Sequence, residues 1–305
     1  MTIDRRAYYA GLGNRATAGR GLSAPSVALA GGHGSRSWLA AAERQSGGAL
    51  AGLAPETWLA LGESYSKCAH FIHSPLRREW FADLTRQQVA EAAAALTLLD
   101  THAGSTAATP DDVVALLWDC EYDRVHRRSL GLTVPGLNAL DARLHGGGAL
   151  TASTVRTLSE LCDRWNGPAF RHRDPLVNFA LGFVRAAAVH FTLLRSRPFG
   201  AHSAATARVV EIQLLLEIDE ISIRQAGQLS IHYSRDRAEY ERFAHDESVG
   251  IAAFVDYAAA GFRWALRQQM LDSRTFFPQR RTQLYRDNFA RSGVTGPAWE
   301  PADGQ

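Results

Sequence analysis

The residues best suited to chemistry fall in one short stretch, Arg197 to Arg208, which holds Arg197, His202, Ser203, Thr206 and Arg208. Two guanidiniums and two hydroxyls beside the start of a helix, whose first-turn amides have no helical acceptor, make an anion site for phosphate or carboxylate. His202 is the titratable base of this stretch, and the positive end of a helix favours a neutral imidazole, the form that acts as a base. The plainer readings are a solvent-facing loop histidine for His202 and an ordinary surface arginine for Arg197. Pro198 and Phe199 read as loop geometry and packing, and His190, on an alanine-rich segment, as a hydrogen-bonded core histidine. Cys68, Cys120 and Cys162 lie far apart, so no disulfide framework or paired-cysteine metal knuckle is expected.

These residues need helices to position them, and the spacing predicts an all-α fold. Thr85 with Gln88 reads as a capping box ahead of the apolar stripe Val89, Ala92, Ala93, Leu96 and Leu99. Thr109-Pro110-Asp111-Asp112 opens a second helix, expected to reach about Arg128. Further helices are expected over 151–165, 174–194, 204–218 and 248–271, from apolar residues at three- and four-residue intervals. The segment Gly131 to Gly148 breaks that spacing and reads as a short β-hairpin flap or an irregular loop. The organisation expected is a flexible lead-in over 1–36, a helical N-terminal extension over 37–84, a core over 85–271 and a basic tail over 272–305.

Composition excludes several partners. The 305 residues carry 33 basic and 31 acidic side chains, a formal charge of +2, so no global field draws the chain to nucleic acid or a membrane surface. The seven arginines from Arg263 to Arg291 lack the aromatic interleaving of a nucleic-acid site. The most apolar stretch, Phe179 to Leu194, is interrupted by Arg185 and His190 and reads as a core helix rather than a membrane span. With no signal-like segment visible, a cytoplasmic setting is the expectation.

The run DPLVNFALGFVRAAAVHFTLL into SRPFGAHSAATARVVEIQLLL resembles the core of the Fic (filamentation induced by cAMP, or death-on-curing) family. Asp174-Pro175-Leu176, Ala186-Ala187-Ala188, His190-Phe191 and Leu193 fall in register with the family's helix, and Arg197-Pro198-Phe199 with the start of its HPFxxGNGRxxR loop. Downstream, SRDRAEYERF followed by GIAAFVDYAAAGFRWALRQQM is similar to the family's ending, through Phe254, Tyr257, Gly261, Phe262, Leu266 and Gln268. The resemblance covers roughly residues 85 to 271. It implies a Fic-like helical bundle, a nucleotide pocket with Tyr240 on its adenine side, and descent from protein adenylyltransferases (AMPylators).

The loop departs from the family pattern where the reaction needs it. The motif histidine is Arg197, which stays protonated and cannot act as a base. The metal-binding acid is Ala201, so no magnesium ligand is expected there, and Gly-Asn-Gly is His202-Ser203-Ala204. The first loop arginine is Ala205, and only Arg208 survives. The stretch matched to the family's inhibitory helix, Ser64 to Leu76, has no glutamate. What the resemblance then implies is a degenerate transferase that binds ATP, another nucleotide or a different small anion through Arg197, Ser203, Thr206, Arg208 and Tyr240, with no cofactor required. The alternatives are a non-catalytic interaction protein, with a protein partner or a second copy as a homodimer, and residual nucleotidyl transfer with His202 as base.

Overall fold

The computed structural model describes residues 53–72, 78–100, 108–126 and 132–269, and every regular element among them is helical. In chain order these are α1 (Pro55–Ile72), α2 (Arg78–Thr97) with a 3-10 turn at Leu98–Asp100, α3 (Pro110–Val125), α4 (Val134–His145) and α5 (Ala152–Trp165). After a 3-10 turn at Pro168–Phe170 come α6 (Pro175–Ser196), α7 (Ser203–Leu216), α8 (Ile223–Arg235), α9 (Arg237–His245) and α10, residues 251–269. The expected all-α class is what the chain adopts.

Local chemistry sets the ends of these helices. Thr109 caps α3 through a reciprocal box with Asp112, and Pro110 occupies the first turn, where its missing N–H costs nothing. Asp174 caps α6 by accepting from the amides of Leu176 and Val177, again with proline in the first turn. Fifteen of the 22 residues of α6 are buried, as are twelve of the 14 in α7, so this hairpin of helices forms the centre on which the others pack. α10 adds an aromatic wall: Phe262 packs 5.2 Å from Phe183, and Phe254 packs 5.1 Å from the His190 ring. Truncating a buried phenylalanine of this kind to alanine removes about 3–5 kcal/mol.

Four expectations need correction. The hairpin flap at 131–148 is instead α4: Thr133 caps it, Pro135 lies in its first turn, and Gly146 ends it in the left-handed region at φ 82°. Its proline and glycines are the helix's punctuation, not its interruption. Thr85 and Gln88 lie inside α2, which begins at Arg78; the inner face already carries the buried Leu84, so the boundary expected at 84/85 cuts a continuous helix. The N-terminal extension is not a separate layer either, because Trp58, Leu61, Tyr65 and Cys68 of α1 join the same core as α6. Finally, α8 and α9 fill 223–245, where no helix was expected; Gln225 reaches back to accept from the Ser222 amide at 2.8 Å and starts α8. The lead-in 1–36 and tail 272–305 lie outside the described residues. α6 is long and apolar enough by length and composition to cross a membrane, and 78% of that apolar window is covered by the bundle.

Candidate functional site

α7 carries the residues singled out by sequence, and its middle and first turn place them very differently. In the middle, Arg208 and Glu211 face α6 and α8 with no exposure at all. Arg208 gives Nε to Ser230 Oγ (3.0 Å), one terminal nitrogen to Glu211 Oε2 (2.7 Å) and the other to the Ala226 carbonyl. The second oxygen of Glu211 accepts from the Tyr233 hydroxyl at 3.1 Å. His190 bridges Glu211 (Nδ1 to Oε2, 2.6 Å) and the Tyr240 hydroxyl (Nε2, 2.8 Å). Tyr240 is itself buried, its ring stacked on Tyr233 with centroids 5.0 Å apart.

Protonation follows from this geometry. Burial pushes the His190 pKa down, which leaves a neutral ring that donates from Nδ1 to Glu211 and accepts the Tyr240 proton at Nε2. Burial opposes the Glu211 charge, but His190, Arg208 and the Tyr233 hydroxyl outweigh it and hold the carboxyl below its usual range. Each nitrogen of Arg208 is committed to a protein acceptor, so the guanidinium is a structural ion rather than a ligand-binding one. His190 is the hydrogen-bonded core histidine that its segment suggested.

The first turn of α7 is tied to α4. Thr206, fully buried, donates to Asp141 Oδ1 at 2.9 Å, and the same carboxylate oxygen meets His145 Nδ1 at 3.1 Å. His202 precedes α7 and lays its ring on His145, centroids 4.1 Å apart and planes 24° from parallel. Its Nδ1 is buried and makes no hydrogen bond. Ser203 is buried too, its hydroxyl accepting from the Phe199 amide at 3.0 Å. Arg197 is exposed: it ends α6 at φ 48° and ψ 48°, its side chain has no partner among the described residues, and its carbonyl accepts from Gly200 at 2.9 Å. A non-glycine residue in that left-handed region costs about 1–2 kcal/mol.

The five anion-site candidates and His202 therefore do not converge on an open pocket. Ser203, Thr206, Arg208 and Tyr240 face inward and are bonded within the protein, while Arg197 and His202 stay near the surface. Sequence reasoning missed Glu211, Tyr233 and Asp141, which hold these groups. The spacings Arg208 to Glu211 and Asp141 to His145 were visible pairings one helical turn apart. Among the described residues no group of three or more His, Cys, Asp or Glu is arranged to hold a metal. The three cysteines are free and buried, and burial pushes the Cys120 thiol up to about 12, far from thiolate chemistry.

A cavity lies at the other end of α7. It is a cleft of about 490 Å³ bounded by α3, the first half of α4, α6 and the last turns of α7, well separated along the helix from the 197–202 loop. A scan of protein-family models finds no match to this chain, and neither the curated proteins nor the solved structures give one.

Proposed function

We propose that the chain is a Fic-like protein that has given up nucleotidyl transfer and serves as a non-catalytic interaction protein, the former transfer loop acting as a clasp between helices. The observation that carries this reading is the inward bonding of the matched residues: Arg208 to Glu211 and Ser230, Thr206 to Asp141, Tyr240 to His190. A transferase needs donors aimed at a phosphate and a base within reach of the attacking hydroxyl. Here those donors support the bundle, and the position of the motif base is an arginine.

A second reading is favoured by one observation, the buried Nδ1 of His202 that makes no hydrogen bond beside the exposed Arg197. On this reading the loop captures a small anion, such as the phosphate of ATP or another nucleotide. One experiment separates the two. Purified protein is unfolded thermally with ATP, CTP, GTP and inorganic phosphate, with and without magnesium, and each mixture is then weighed by intact-mass spectrometry. The interaction reading expects no stabilisation and no covalent adduct. Stabilisation that disappears in Arg197→Ala replaces it with anion capture, and an adduct that disappears in His202→Ala replaces it with residual transfer.

A further inference from the structure

Helices α1 and α10 meet along one side of the bundle and leave a groove of about 380 Å³ between them, away from the network and the loop. Thr57 donates to Asp256, Glu63 forms an ion pair with Arg263 at 3.0 Å, and Lys67 lies within the field of Arg267. Rising positions on one helix meet rising positions on the other, so the two run parallel. From Thr57 to Lys67 their contact covers about 15 Å, at about 1.5 Å per residue.

Charge is sorted along this groove. Toward the start of both helices stand Glu56 and Asp256, and Glu56 is exposed and makes no ion pair among the described residues. At the far end Arg263, Arg267 and Lys67 gather around one acid, Glu63. Arg267 is exposed and also makes no ion pair among the described residues. Burial, and then the charge of Arg267, hold the Lys67 pKa below the ordinary lysine value, so the single acid does not balance this end. Between the two ends the floor is alanine, at Ala60, Ala259 and Ala260. Leu59, 50% exposed, lies three residues from Glu56 and four from Glu63, which puts it on the groove side of α1 as an apolar rim.

A face with acid at one end, base at the other and an apolar middle is complementary to itself turned end for end, the condition for an isologous contact. A small ligand would have to bridge about 15 Å to meet both ends, whereas a second copy meets them at once. We propose that this face joins two copies of the chain, packed antiparallel about a two-fold axis, with Glu56 of one copy against Arg267 of the partner subunit and Leu59 over the alanine floor beside Trp264 of the partner subunit. This names a partner for the interaction reading given above and rests on it. The 18 residues of α1 are about 27 Å long and two helices side by side are about 20 Å wide, so the face is at the small end of stable interfaces and micromolar pairing is expected.

Sedimentation velocity on the full chain between about 1 and about 200 µM tests the proposal. The parent protein should dimerise in that range, less so in about 0.5 M salt. Glu56→Arg and Arg267→Glu, both at exposed positions, each set like charges opposite one another twice per dimer. Either should raise the dissociation constant about tenfold or more while circular dichroism stays that of the parent. Mixed in equal amounts, the two variants restore both contacts and should pair with each other, and the double variant should pair with itself. A parent protein still monomeric at about 200 µM, a dimer indifferent to both reversals, or reversed variants that do not pair when mixed overturns the proposal. The interaction reading stands or falls separately, on the nucleotide titrations.

Discussion

The middle of α7 and its first turn use the same kinds of side chain in opposite ways. In the middle, Arg208, Glu211, His190, Tyr233 and Tyr240 close a network in which each charge has a counter-charge and each hydroxyl a partner. At the first turn, one carboxylate, Asp141, serves both Thr206 and His145, and His202 contributes a ring stack with a buried nitrogen left unbonded. A buried ion pair repays the desolvation of its charges only when every member is satisfied; removing one partner leaves an uncompensated charge in a low dielectric. The difference teaches that these polar residues are divided between holding the fold and leaving a yielding edge. An arginine in a loop motif says nothing about which side it falls on.

The comparison breaks most visibly at the network. Glu211→Gln or Arg208→Met should each cost about 3–5 kcal/mol in urea unfolding, whereas Arg208→Met with Glu211→Leu should recover a large part of that loss. Equal costs for the single and double variants would mean that packing, not charge balance, governs the site.

Acid should act next. Burial holds His190 and His232 below the ordinary histidine pKa of 6.5, so the unfolded chain binds more protons than the native one below that pH. Their contribution is fully present above about 6.5 and drains as the pH falls, at about 1 kcal/mol per pH unit for each histidine. Glu211, also held low, adds a further loss below about pH 4.5. Urea midpoints compared at pH 7.5 and 5.5 read the slope, and His232→Gln should reduce it by about half. A flat profile between those values would mean that neither ring is held neutral.

The first turn should respond more gently. Thr206→Val removes the donor to Asp141 and leaves His145 as that oxygen's partner, so a loss of about 1 kcal/mol is expected, against several at the network. Smallest is Arg197→Gly, which relieves a left-handed φ of 48° while loosening the unfolded chain. Its unfolding temperature should shift by a degree or so in either direction, and a large loss would assign Arg197 a binding role inside the protein.

Much of the fold was legible because local signals and final structure agree. Thr109-Pro110 with Asp112, and Asp174-Pro175, are start signals that hold without tertiary help. The misreadings came where one signal has two meanings. Pro135 and Gly146 punctuate a helix as readily as they break one, and Thr85 with Gln88 has the spacing of a cap and of any helix interior. At the candidate site the residue types were visible but their direction was not. Arg208 reads as a phosphate ligand until Glu211, Ser230 and Ala226 are seen around it, and two of those three come from α8, which the hydrophobic spacing did not reveal.

The network also binds the bundle's parts to one another in time. His190 lies on α6, Glu211 and Arg208 on α7, Tyr233 and Ser230 on α8 and Tyr240 on α9, with partners up to 50 positions apart in the chain. No one of these helices can swing away without stranding a charge or a hydroxyl on the other three. Opening of this part of the molecule should therefore be all-or-none, its amides exchanging with hydrogen together rather than helix by helix.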